Sequence, residues 1–87
     1  LTKRGDEMTV RIDADEKNLS LQVDGDIYQE YAQCLCAMLY SHADRGVKNM
    51  EIEIDATYYI NQQGQRCLDE MKQLLEQRGL CVHMNRG

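Results

Sequence analysis

The chain has 87 residues, enough for one domain with a single modest core. Its net charge is −5, with the ten basic side chains scattered along it, which argues against nucleic-acid binding, where a basic patch must neutralise phosphates. No apolar run is long enough to span a membrane and no signal-peptide core opens the chain, so a cytoplasmic protein is expected.

Residues 1–7, LTKRGDE, read as a charged tail, and 8–87 as one domain. Because the chain opens on Leu1 rather than Met, the tail reads as a cloning remnant or the cut end of a longer protein. Val10 and Ile12 alternate with Thr9, Arg11 and Asp13, a half-buried strand pattern. The polar group Asp15-Glu16-Lys17-Asn18 then predicts a turn, and Leu19, Leu21 and Val23 a second strand. Two alternating runs around a short turn predict an antiparallel hairpin.

At Gly25-Asp26 the period changes. Asp26 is expected as an N-cap, with Gln29 completing a capping box. Ile27, Tyr31, Cys34, Leu35, Met38, Leu39 and His42 predict the apolar stripe of a helix that stops at Gly46. His42 near its C-terminus is a favourable charge placement. Met50, Ile52 and Ile54 alternate with Glu51 and Glu53 as a third strand. The two glutamates read as its solvent side, more simply than as a carboxylate pair for acid–base work. A second helix carries Cys67, Leu68, Met71, Leu74 and Leu75 and ends at Gly79. Leu80, Val82 and Met84 alternate with Cys81 and His83 as a fourth strand. The expected fold is α/β, in the order β-β-α-β-α-β. Strand–helix–strand passages make strands two to four parallel. Alternation in every strand places both helices on one face of a mixed, mostly parallel four-stranded sheet.

The four cysteines fit no zinc-ribbon spacing and read as small buried hydrophobes, Cys34 and Cys67 among them. Cys81 and His83 share a strand face, but the sequence offers them no third ligand, so no metal and no cofactor is expected. They would nonetheless be the residues of an alternative reading, a small cysteine- or metal-dependent enzyme or sensor. A further alternative is a self-associating structural module, in which uncovered apolar surface makes a homo-oligomer.

Three stretches resemble the STAS domain, the module of anti-sigma-factor antagonists and of sulfate-transporter tails: LSLQVDGDI, MEIEIDATYYINQQG and CLDEMKQLLEQRGLCVHMN. The resemblance covers about three quarters of the chain, from Leu19 to Met84. It implies a regulatory protein–protein interaction domain without catalysis, whose partner is an anti-sigma-kinase-like protein or a larger assembly. It also implies a further helix after the last strand, which this chain would lack. In the family, the corner before the second helix carries a phosphorylatable hydroxyl. Gln63 stands at that position here, Gln62 precedes it and Asn61 replaces the family's aspartate. An amide accepts no phosphoryl group, so a phosphorylation-silent member is expected. GDIYQEYAQCLCAML is also similar to a helix-opening stretch of Clp-type serine proteases, but neither serine of this chain, Ser20 or Ser41, sits in a nucleophile's setting.

The corner residues Tyr58, Tyr59, Asn61, Gln62, Gln63, Gly64, Gln65 and Arg66 are therefore the expected partner-facing surface. Asn61 can cap the helix through the backbone amide of Gln63 or Gly64. Glycine as the third helical residue costs about 1 kcal/mol against alanine, which close approach by a partner or an anion, or tight packing against a neighbouring strand, would justify.

Overall fold

A computed structural model describes residues 8–86. The elements are β1 (Thr9–Ala14), β2 (Asn18–Asp24), α1 (Gln29–Asp44), β3 (Asn49–Ile54), α2 (Gln62–Gln77) and β4 (Cys81–Arg86). The expected tail at 1–7 lies outside the described residues. One sheet forms in the order β1-β2-β3-β4, with β1 antiparallel to β2 and the other neighbours parallel. This is the α/β architecture that the alternation predicts.

Period-two alternation sorts the strands' side chains onto two faces. Leu19, Leu21, Val23, Met50, Ile52, Ile54 and Val82 point inward and are buried. From the helices, Ala32, Leu35, Cys36, Leu39, Leu68, Met71 and Leu75 close over them in one continuous core. Each large aliphatic side chain so buried contributes about 1.5–3 kcal/mol relative to exposure. The outer face is polar and exposed: Ser20, Gln22, Glu51, Glu53, His83 and Asn85. At the β1 edge the cover thins, and Ile12, on the inner face opposite Leu21, is 37% exposed.

Both helices end in the same way. At α1, the N–H of Gly46 donates to the Ala43 carbonyl and that of Val47 to the His42 carbonyl. At α2, Gly79 and Leu80 repeat the pattern onto Glu76 and Leu75. These paired bonds need a left-handed residue, which glycine supplies at φ +115° and +93°. Buried Val47 and Leu80 then lead the chain into β3 and β4.

Two expectations for α1 need correction. The helix does not start from an Asp26 cap: its N-cap position is Tyr28, with extended backbone at φ −95° and ψ 171°. Ile27 is held in a parallel bridge to Ile60, and this strand-like pairing delays the helix to Gln29. The buried stripe is also rotated from the expected one. Cys36, not Cys34, is buried, together with Ala32 and Ala43, while Cys34 is exposed and Tyr31 lies at the margin. On that side the Cys36 thiol meets α2, 3.5 Å from the thiol of Cys67.

Candidate functional site: a tyrosine corner

The corner forms where β2 and β3 leave the sheet and the two helices begin. Ile27 is fully buried. Its N–H donates to the Tyr59 carbonyl at 2.8 Å, and its carbonyl accepts from the Asn61 N–H at 3.0 Å. Asp26 completes the seam, its Oδ1 accepting from the Tyr59 N–H at 2.9 Å. On the β3 side, the Asp55 carboxylate accepts from the Thr57 N–H at 2.9 Å and from its hydroxyl at 2.7 Å. These bonds, the backbone one first, hold the Asp55 carboxyl below the usual carboxylate range. Arg86, at the end of β4, donates to the Tyr58 carbonyl at 2.7 Å. A segment without regular structure is thus fixed from three sides.

Asn61 caps α2: its Oδ1 accepts from the Gly64 N–H at 2.7 Å. Gly64 is buried, and a Cβ built there would lie 2.9 Å from Asn61 Oδ1 and 3.3 Å from the Ile27 carbonyl. The approach that favours glycine is therefore made by this chain itself, first by the Asn61 cap oxygen and then by the Ile27 carbonyl. Gly64 sets the distance between the corners and offers no surface of its own.

The other expected residues spread around this seam. Gln62, Gln63 and Arg66 are exposed. Half-buried Gln65 donates from Nε2 to Asp69 at 3.0 Å. Tyr58 is half-buried, while Tyr59 is 56% exposed. Two further members come from the opening of α1. The Tyr28 ring lies 5.9 Å from that of Tyr59 and 6.2 Å from that of Tyr31, both tilted, and all three rings reach solvent. Tilted pairs at this spacing are favourable aromatic contacts. The sequence signal for them is slight: two tyrosines three apart at a helix start, with nothing to say that Tyr59 lies beside them.

Cys81 and His83 lie on the outer sheet face, both exposed. Across the strands Asp13, Ser20, Glu51 and His83 fall in register. A shallow depression of about 500 Å³ spans this face, at the end of the sheet away from the tyrosines. Among the described residues, no group of three or more His, Cys, Asp or Glu side chains is arranged to hold a metal ion. No described helix is long and apolar enough to cross a membrane.

Comparison with protein-family models, with curated proteins and with solved structures finds no match to this chain.

Proposed function

We propose that this is a non-catalytic interaction domain that recognises a protein partner through the corner formed by Tyr28, Tyr31, Tyr59, Gln62 and Gln63. The observation that carries the reading is the contact of three solvent-reaching tyrosines on a backbone already fixed by hydrogen bonds. Tyrosine is enriched at interfaces because it offers a large apolar area with a polar tip and few rotamers to freeze. A fixed backbone lowers the ordering cost of association. Gln62 and Gln63 add exposed donors and acceptors without charge.

The motif resemblance to STAS modules extends the proposal to regulation. The partner would be an anti-sigma-kinase-like protein or a larger assembly, and the amide at Gln63 would make recognition constitutive. The test is affinity capture from the native host with four tagged proteins: wild type, Tyr28→Ala/Tyr59→Ala, Gln63→Asp and an outer-face control, Glu53→Gln. A partner retained by wild type and control but depleted at least tenfold by both corner variants supports the reading. A captured set that ignores the corner variants while each remains folded would overturn it.

A further inference from the structure

The helix–helix contact holds two thiols against each other. Cys36 faces α2 from the middle of α1, and its Sγ lies 3.5 Å from the Sγ of Cys67. The same Sγ lies 3.6 Å from the Cys67 carbonyl, so the α1 thiol sits directly against the α2 backbone. A disulfide has a sulfur–sulfur distance of about 2.05 Å, so bonding requires the two atoms to close by only about 1.5 Å. Core neighbours on both helices, Leu35, Leu39, Leu68 and Met71, are essentially fully buried and keep the pair in register. The remaining cysteines lie elsewhere: Cys34 is exposed on α1, and Cys81 is exposed on the outer face of the sheet.

We infer that Cys36 and Cys67 form an oxidisable dithiol site, closing to an intramolecular disulfide when the protein meets a peroxide or a low-molecular-weight disulfide. Accessibility sets the order of events. Cys36 is 6% exposed, whereas Cys67 is half-buried and so the more accessible residue of the two. Burial first, and then the adjacent Cys67 thiol, push the Cys36 thiol up to about 12, so it is the poorer initial nucleophile.

With a glutathione-type disulfide, the Cys67 thiolate attacks one sulfur and expels one reduced thiol. Cys36 then gives up its proton and attacks the Cys67 sulfur of the mixed disulfide, expelling the second. Two protein thiols are oxidised and one reagent disulfide is reduced to two thiols. With a peroxide, Cys67 becomes a sulfenic acid and Cys36 displaces its oxygen as water, so the peroxide ends as two hydroxyl products. The product ties α1 to α2 across a loop of some thirty residues, a constraint that falls mainly on the unfolded chain. This site is independent of the proposed partner corner.

The experiment uses the full chain carrying Cys34→Ser and Cys81→Ser, treated with excess oxidised glutathione at mildly alkaline pH. The expected result is loss of both remaining thiols, a mass lower by two hydrogens, no bound glutathione, monomeric protein and a higher thermal midpoint. Adding Cys36→Ser should leave a stable glutathione adduct on Cys67. Peptide mapping of the oxidised wild-type chain should find Cys36 joined to Cys67, a check that does not depend on how the serine variants fold. Two thiols persisting in the folded protein but oxidising in urea, a stable adduct with Cys36 intact, or only intermolecular dimers would each overturn the inference.

Discussion

Asp26 and Tyr59 are thirty-three positions apart, yet the Asp26 carboxylate accepts the Tyr59 backbone N–H at 2.9 Å. The carboxylate expected to cap a helix instead joins the exits of β2 and β3. A hydrogen bond to a charged group contributes about 1.5–3 kcal/mol, with partial exposure placing this one at the lower end. Asp26→Ala should therefore lower unfolding free energy by about 1–2 kcal/mol in urea titrations. Asp26→Asn, which keeps an acceptor oxygen, should lose less than half of that. Equal losses in the two variants would mean that charge, not the bond, matters there.

Gly64 gives a sharper case, because two effects oppose one another. Alanine gains about 1 kcal/mol of helix propensity, but its Cβ would sit 2.9 Å from the Asn61 cap oxygen and 3.3 Å from the Ile27 carbonyl. The backbone cannot retreat easily, since Ile27 is bonded to both Tyr59 and Asn61. The clash should win, and Gly64→Ala should destabilise by about 1–3 kcal/mol. Asn61→Ala alone should cost about 1 kcal/mol as a lost cap. Because one of the two close contacts disappears with Asn61, the double variant should be more stable than the sum of the singles implies, by at least about 0.5 kcal/mol. Strict additivity would show that the Ile27 carbonyl alone sets the limit.

The element order and the parallel direction of β2 to β4 could be read in advance from the strand–helix–strand passages, and the alternation fixed the phase, since a one-residue error would have placed Glu51 or Glu53 in the core. The exposure of Glu51 and Glu53 and the burial of Met50, Ile52 and Ile54 follow that phase. On α1 the same method was weaker. From Tyr31 to Tyr40 the only polar residue is Gln33, so several stripes fit, including one with Cys34 inward in place of Cys36. Packing against α2, which the period does not encode, decides between them. Of the tyrosine cluster, the run at 58–66 supplies Tyr59, while Tyr28 and Tyr31 are brought beside it by the Ile27–Ile60 bridge and the Asp26–Tyr59 bond, neither of which a sequence period encodes.

Two exposed turns make the protein sensitive to acid in a defined direction. The Asp15 carboxyl is held below its ordinary value by the N–H of Asn18 and then that of Lys17, as Asp55 is by Thr57. A carboxyl lowered in the folded state contributes stability above its unfolded pKa of about 3.9 and loses it as pH falls through the folded value. The difference in thermal midpoint between wild type and Asp15→Ala should be constant above about pH 5 and shrink below about pH 4. A difference that persists unchanged at the acid end would assign the Asp15 contribution to turn conformation and not to its charge.

The buried thiol makes the opposite prediction at the alkaline end. Burial, reinforced by Cys67, raises Cys36 to about 12 in the folded protein. An unfolded cysteine ionises near pH 8.5. Below that value both states hold the proton, and the contribution is complete. As pH rises above it, the unfolded chain releases its proton while the folded chain keeps it, so stability falls, by at most about 1.4 kcal/mol per pH unit for this one group. Other side chains also titrate there, so the informative quantity is a difference between proteins. In reducing buffer, wild type should lose stability between about pH 8.5 and pH 10.5 more steeply than Cys36→Ala, whatever the offset between them at neutral pH. Reduction matters, because a Cys36–Cys67 disulfide would remove the titrating group and flatten the wild-type curve. Parallel slopes under reducing conditions would show that water reaches Cys36 well enough to ionise it in place, and that the α1–α2 contact is looser than its packing indicates.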